Sequence, residues 1–148
     1  MLEFRYRNFN SDDLQGTSIA EYLVNLEADL QINADGLVVY EELAFPVVEL
    51  ARDLIAWCAG GAMERGEDFV FESLSFDETG AVTIRMGLAG WSIGSVFVPD
   101  SFSRQLPAGE IAAAVQVFAD DLRREIGSRG FDPSLLPSSE AEVGRDSL

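Results

Sequence analysis

The chain has 148 residues, a formal net charge of −16, 47% hydrophobic residues and 10% aromatic residues. This length and apolar content are those of one packed domain rather than of a disordered acidic chain. All ten basic residues are Arg and the chain has no His, which excludes a Schiff-base lysine, a P-loop lysine and catalysis by an imidazole base.

A negative charge of this size repels nucleic acid and anionic membranes, and it attracts basic partners. No apolar run approaches the roughly 20 residues of a membrane span, and the first residues lack a signal-peptide profile. The single Cys excludes an internal disulfide. We therefore expect a cytoplasmic protein that binds neither nucleic acid nor membrane.

The first segments of the chain predict a strand and a short helix. Apolar and charged residues alternate over residues 2–7, which is the period of a half-buried strand. After a polar loop, Ser18 and Glu21 have the spacing of a capping box. This box predicts the start of a short helix.

The next segments predict a β-hairpin followed by a helix. Residues 27–43 alternate on both sides of Asp35-Gly36, a dipeptide typical of two-residue hairpin turns. Pro46 is placed as a first helical residue, an apolar stripe at helical spacing follows it, and Gly60-Gly61 ends the stripe. The sequence therefore predicts a second helix between these two signals.

The second half of the chain predicts three strands and the longest helix. The strands fall within residues 69–76, 81–88 and 91–98, and they are separated by short turns. Pro107 opens the helix. Its apolar stripe consists of Ile111, Val115, Phe118, Leu122 and Ile126.

These elements predict an α+β fold in the order β-(short α)-ββ-α-βββ-α. Strands joined by hairpin-length turns must pair antiparallel, so we expect one antiparallel sheet of about six strands with two main helices packed on one face. The predicted domain covers residues 1–131. The polar residues 132–148 are expected to form a flexible acidic tail.

Two motifs that suggest catalysis have simpler structural interpretations. The run Gly90-Trp91-Ser92-Ile93-Gly94 is a literal G-x-S-x-G, but its Ser begins a strand pattern and the chain has no His to act as base. Cys58 lies on the apolar stripe of a helix, and Trp57 and Trp91 also fit core positions. No dinucleotide fingerprint, P-loop or zinc spacing occurs, so we expect no enzyme activity and no cofactor.

Charge is distributed unevenly along the chain. No basic residue lies between Arg7 and Arg52, whereas nine carboxylates fall within residues 11–50. Residues 81–130 are neutral, with five Arg and five carboxylates. The acidic part of the chain is therefore the place to search for a partner-binding surface.

The candidate site consists of five carboxylates on the predicted hairpin and the following helix. A two-residue turn places Asp29 opposite Glu42 and a three-residue turn places it opposite Glu41, so either register sets like charges across the hairpin. Glu49 and Asp53 repeat this at i, i+4 on the helix. Such repulsion indicates a docking surface for basic groups; the alternatives are a solvated acidic face and an oxygen-only Mg²⁺ or Ca²⁺ site.

Four segments of the chain resemble an uncharacterised family of short acidic domains from Streptomyces-like actinobacteria. They are Glu27-Ala28-Asp29-Leu30, Phe45-Pro46-Val47-Val48-Glu49-Leu50-Ala51, Phe71-Glu72-Ser73-Leu74-Ser75-Phe76 and Trp91-Ser92-Ile93-Gly94-Ser95-Val96-Phe97. The resemblance covers about residues 1–131 and implies a bacterial, cytoplasmic protein without implying catalytic residues. In size, acidity and fold class the chain is also similar to the immunity proteins of polymorphic toxin systems.

The leading hypothesis is a non-enzymatic acidic protein-binding domain, an immunity or antitoxin-type inhibitor of a basic, nuclease-like toxin. Its expected contacts are the five carboxylates Asp29, Glu41, Glu42, Glu49 and Asp53. One alternative is a domain that binds a small molecule or a divalent cation between sheet and helices. The other is an oligomeric scaffold, and the sequence leaves the oligomeric state open.

Overall fold

A computed structural model describes residues 1–137 of the chain. Its strands and helices follow in the predicted order, which confirms the α+β fold class. They are β1 (Leu2–Asn10), α1 (Ile19–Asn25), β2 (Glu27–Ala34), β3 (Leu37–Phe45), α2 (Val47–Ala59), β4 (Phe69–Val70), β5 (Thr83–Met86), β6 (Trp91–Gly94) and α3 (Ala108–Ser128). Two short 3-10 helices cover Pro99–Ser101 and Pro133–Leu135.

Local signals in the sequence place the first elements. The Ser18 side chain accepts a hydrogen bond from the backbone N–H of Glu21 at 3.1 Å, as the capping box predicts for the start of α1. The hairpin of β2 and β3 turns at Asp35 and Gly36, whose φ angles are +55° and +82°. Two consecutive positive φ angles are those of a type I′ turn, which matches the right-handed twist of the strands.

The six strands form two antiparallel sheets of three, in the orders β1-β2-β3 and β4-β5-β6. The predicted single sheet is thus divided in two, and β4 ends at Val70 instead of continuing to residue 76. The chain beyond it turns so that the rings of Phe71 and Phe76 pack on Phe45, with centroids 5.6 Å and 5.5 Å away. The aromatic pattern of this segment therefore reflects an anchored loop, not a strand.

The core lies between the sheets and the two longer helices. Every member of the predicted α3 stripe is buried, and Phe118 of this stripe stacks on Phe4 of β1 at 5.1 Å. Trp57 of α2 meets Trp91 of β6 edge to face at 5.1 Å. Both tryptophans are buried, which confirms their interpretation as core residues.

The second sheet buries a shorter apolar face than its sequence predicts. Val82, Ile84, Met86 and Leu88 alternate at period two, which predicts one inner face, but Met86 and Leu88 are exposed. Met86 is the last residue of β5 and Leu88 lies beyond it, so the inner face ends at Ile84. Ser92 lies within β6, which agrees with a strand rather than a nucleophile elbow.

Packing continues beyond the predicted domain end at residue 131. The side chains of Leu135 and Leu136 are buried. The Arg123 guanidinium of α3 donates hydrogen bonds to the carbonyl oxygens of Leu136 and Pro137, at 3.1 Å and 2.9 Å. Residues 132–137 are thus part of the packed structure, and the rest of the predicted tail lies outside the described residues.

None of the helices among residues 1–137 is both long enough and apolar enough to cross a bilayer.

Candidate functional site

The outer face of the first sheet brings arginines to the acidic hairpin. In the pairing of β1 with β2, Arg5 lies opposite Gln31 and Arg7 lies opposite Asp29. The interval without basic residues in the sequence is therefore not free of positive charge in space. Its nearest cations come from the strand that precedes it.

A β-bulge sets the surroundings of Asp29. Ala28 pairs with Phe45 and Leu30 pairs with Glu42, so Asp29 faces the two residues Leu43 and Ala44. Both predicted registers, with Asp29 opposite Glu41 or Glu42, are therefore wrong. The bulge requires a φ of +52° at Ala44, a conformation that sequence rules assign to Gly or Asn and not to Ala.

The Asp29 carboxylate stabilises this bulge. It accepts hydrogen bonds from the Asn8 side-chain amide at 2.8 Å and from the backbone N–H of Ala44 at 3.1 Å. These two bonds, with a smaller contribution from Arg7, lower the pKa of Asp29 below its usual value. The carboxylate is therefore ionised and held in a fixed position.

Glu41 and Glu42 are bound by neutral donors instead of repelling Asp29. The Gln31 amide donates to the Glu41 carboxylate at 3.1 Å, and the Tyr40 hydroxyl donates to the Glu42 carboxylate at 2.8 Å. Burial, followed by this hydrogen bond and the Glu42 charge, raises the pKa of Tyr40 above its usual range. Glu41 is exposed, whereas Glu42 is half-buried.

Three of the five predicted site residues line one cleft on the first sheet. Its volume is about 600 Å³. The cleft carries the carboxylates of Asp29 and Glu41 together with Arg5 and Arg7. Glu42 borders the cleft, but it pairs with the buried Leu30 and its carboxylate bonds to the buried Tyr40, so its charge lies on the inner face of the sheet. The cleft therefore presents both signs of charge, in a pattern fixed by hydrogen bonds to the strands.

Glu49 is not part of this cleft and has a structural role. Its side chain is buried within the first turn of α2. The carboxylate accepts hydrogen bonds from the Ser73 hydroxyl at 2.6 Å and the backbone N–H of Leu74 at 3.1 Å. The expectation that Glu49 contacts a partner does not fit this burial, because both oxygens already hold the loop after β4.

Asp53 lies one turn further along α2 and is half-buried. Burial and then the Glu49 carboxylate raise the pKa of Asp53 to about 6, while Arg52 opposes the shift. The predicted repulsion between Glu49 and Asp53 is therefore present. It is a local property of α2 and not of the cleft on the first sheet.

The sequence matches the family described as Domain of unknown function (DUF7878) over residues 2–128. The chain belongs to this family. The DUF7878 domain thus includes all six strands and the three α-helices, which agrees with the expected resemblance over about residues 1–131. No curated protein and no solved structure matches the chain.

The DUF7878 domain has a second concave site that the sequence analysis missed. A groove of about 850 Å³ runs between β1 and α3 and is lined by residues 1–6 and by one flank of the helix. On that flank lie Glu110, Ala113, Val117 and Asp121. The exposed Val117 is the main signal of this groove in the sequence, because the contact between β1 and α3 joins distant parts of the chain.

The described part of the DUF7878 domain contains no arrangement of three or more acidic or Cys side chains suited to a metal ion. Cys58 lies in a half-buried position, and burial raises the pKa of its thiol to about 11. A thiol with this pKa is protonated at neutral pH and is a poor nucleophile. The cleft on the first sheet and the groove between β1 and α3 are the candidate sites.

Proposed function

We propose that this DUF7878 domain is a non-enzymatic acidic protein-binding domain that captures a basic partner. In the specific form of this proposal, the domain is a bacterial, cytoplasmic immunity or antitoxin-type inhibitor of a nuclease-like toxin. The observation that carries the proposal is the cleft in which the carboxylates of Asp29 and Glu41 are held by the first sheet.

Net charge and local pattern have different roles in this function. A charge of −16 attracts a cationic protein over long range and accelerates the encounter. Proteins that bind nucleic acid present basic surfaces, so a toxin of this class is a suitable partner. The charge pattern of the cleft then selects the docked orientation.

The cleft supports one particular arrangement of partner groups. Glu41 is exposed and bonded only to a neutral amide, so it can accept an Arg or Lys of the partner. Arg5 already pairs with Glu3 at 3.0 Å. Arg7 lies on the same face as Asp29, and it favours an acidic or carbonyl group at the matching point of the partner.

A co-expression experiment tests the proposal. The product of the neighbouring gene is expressed in a bacterial host together with this chain or with its Glu41→Lys variant, and growth and co-purification are measured. We expect the native chain to restore growth and to co-purify with the neighbouring gene product. We expect the Glu41→Lys variant to do neither. Glu78→Lys is the matched control, because Glu78 is exposed and lies outside the cleft.

Two results contradict the proposal. One is a neighbouring gene product that neither inhibits growth nor co-purifies with the native chain. The other is full protection by Glu41→Lys, which removes the cleft from the interface.

The alternative function that the sequence leaves open, binding of a small molecule, would use the groove between β1 and α3. Its volume of about 850 Å³ lies within the range of ligand pockets. A thermal-shift panel of metabolites, with calorimetric titration of Ca²⁺ and Mg²⁺, tests this function. A ligand that raises the melting temperature in the absence of any protein partner supports it.

A further inference from the structure

We propose that the groove between β1 and α3 binds an extended basic peptide segment of a partner protein, which pairs with the free edge of β1 as a fourth strand of the first sheet. This site is separate from the cleft of Asp29 and Glu41. The inference therefore does not depend on the function proposed for that cleft.

The first support is the open edge of β1. This strand has β2 on one side and no strand on the other in the described structure. Among residues 1–137, the backbone groups of Leu2–Asn10 bond to no element besides β2. A long edge strand whose backbone groups are unpaired is a template for another strand.

The second support is the shape of the groove beside this edge. The helix α3 runs along β1, since Phe118 stacks on Phe4 and Arg129 lies over the ring of Phe9. Its flank carries the small side chains Ala113 and Ala114, and Val117 is 61% exposed. Small side chains leave room for the alternate side chains of an incoming strand.

The third support is one unpaired acidic group. Glu3 pairs with Arg5, Asp121 with Arg124, and Glu125 with Arg129. Glu110 is the remaining carboxylate of the groove, and its Oε2 atom is buried without a hydrogen-bond partner. Arg104 interacts with the Glu110 charge, but its guanidinium is hydrogen-bonded to Asp35. The Glu110 carboxylate beside the groove therefore favours a donor such as Arg or Lys from a partner.

Charge argues against a second copy of this chain as the occupant. Two β1 edges paired in a dimer would bring together two molecules that each carry −16. A small molecule also fits the groove less well than a peptide. The lining of residues 1–6 is about 17 Å long at strand spacing, and it offers a row of backbone donors and acceptors.

The test uses short random peptides displayed on phage and selected against the purified full chain. We expect the selected peptides to share a strand-forming pattern with an Arg or Lys. The best sequence is then synthesised, and its affinity is measured by calorimetry. Amide resonances of residues 2–6 should shift on binding. N-methylation of alternate peptide amides should weaken binding at least about tenfold, because it removes strand pairing.

Two variants locate the basic contact. Glu110→Gln keeps the size of the side chain, and we expect it to lower the affinity for the basic peptide about tenfold. The affinity for a peptide in which norleucine replaces the basic residue should not change. Glu78→Gln is the matched control and should change neither affinity. Glu41→Lys should also leave the peptide affinity unchanged, which separates this site from the cleft.

Four outcomes overturn the inference. They are selection of no binding peptide, peptides that bind Glu110→Gln as tightly as the native chain, N-methylated peptides of full affinity, and a dimer in light scattering whose interface is β1. The third result would indicate a side-chain pocket of the small-molecule type rather than strand addition.

Discussion

Replacing Glu49 by Ala removes the carboxylate that connects α2 to the loop after β4. The change leaves the Ser73 hydroxyl and the Leu74 N–H without their acceptor at a half-buried position. Each hydrogen bond to a charged group contributes about 1.5 kcal/mol or more to stability. Two such bonds therefore stabilise the fold by about 3 kcal/mol.

One effect acts in the opposite direction. The Glu49 charge repels Asp53 at i, i+4, and its removal returns about 0.5 kcal/mol. We therefore expect Glu49→Ala to lower the free energy of unfolding by about 2.5 kcal/mol. For a domain of this size, that loss lowers the melting temperature by roughly 5–10 °C.

Urea denaturation followed by tryptophan fluorescence measures this loss, because Trp57 and Trp91 are both buried in the core. Glu72→Ala is the matched control, since Glu72 is exposed and belongs to the same loop. A loss below about 0.5 kcal/mol in Glu49→Ala would refute the structural role of this carboxylate. It would also restore Glu49 as a candidate for partner contact.

Four other substitutions give further tests by urea denaturation. The pKa of Asp53 is raised to about 6 by burial and by a nearby carboxylate, so the folded state binds this proton more tightly than the unfolded chain. The stability from this group is therefore complete below about pH 4 and is lost as the pH rises through about 6. Asp53→Asn should remove that pH dependence and raise the free energy of unfolding at neutral pH by about 1 kcal/mol, a value reduced for solvent screening. An unchanged pH profile of stability contradicts the raised pKa. Phe118→Ala should cost about 3–5 kcal/mol, because the ring is buried between helix and sheet; a cost below about 1 kcal/mol contradicts this packing. Gly94→Ala should cost about 1–3 kcal/mol, because its Cβ would lie 2.6 Å from the ring of Phe102. Gly109→Ala, whose Cβ meets open space on α3, should instead be neutral or stabilising, and equal effects at the two glycines contradict the close approach.

Local patterns predicted the order of the elements correctly. The α3 stripe from Ile111 to Ile126 and the capping box at Ser18 depend on residues within one or two turns of each other. The hairpin turn at Asp35-Gly36 is likewise set by its own two residues. These features need no knowledge of distant contacts, so the sequence is sufficient for them.

Contacts between distant residues could not be predicted in the same way. The Glu49 carboxylate is buried because it accepts hydrogen bonds from Ser73 and Leu74, which lie 24 and 25 residues further along the chain. No charge pattern on the helix reveals these contacts. The bulge at Asp29 depends on a positive φ at Ala44, which sequence rules do not assign to Ala. Arg7 neutralises part of the acidic hairpin only because β1 pairs with β2.

The groove shows the same limit for a second site. Glu110 has an ordinary place in the first turn of α3, where an acidic residue is common. Its importance arises only when β1 lies beside the helix and its Oε2 atom is buried without a donor. A sequence pattern can therefore place the acidic residues on their elements, but the elements must be assembled before a site is visible.

The central claim is that the domain acts by binding a basic protein at the cleft of the first sheet. Its most direct test is a calorimetric titration of the purified neighbouring gene product with the native chain and with Glu41→Lys, each at low and at high salt. We expect tight binding by the native chain, a loss of affinity of about tenfold or more in Glu41→Lys, and weaker binding by both at high salt. Equal affinity of the two proteins, or binding that does not change with salt, would contradict it.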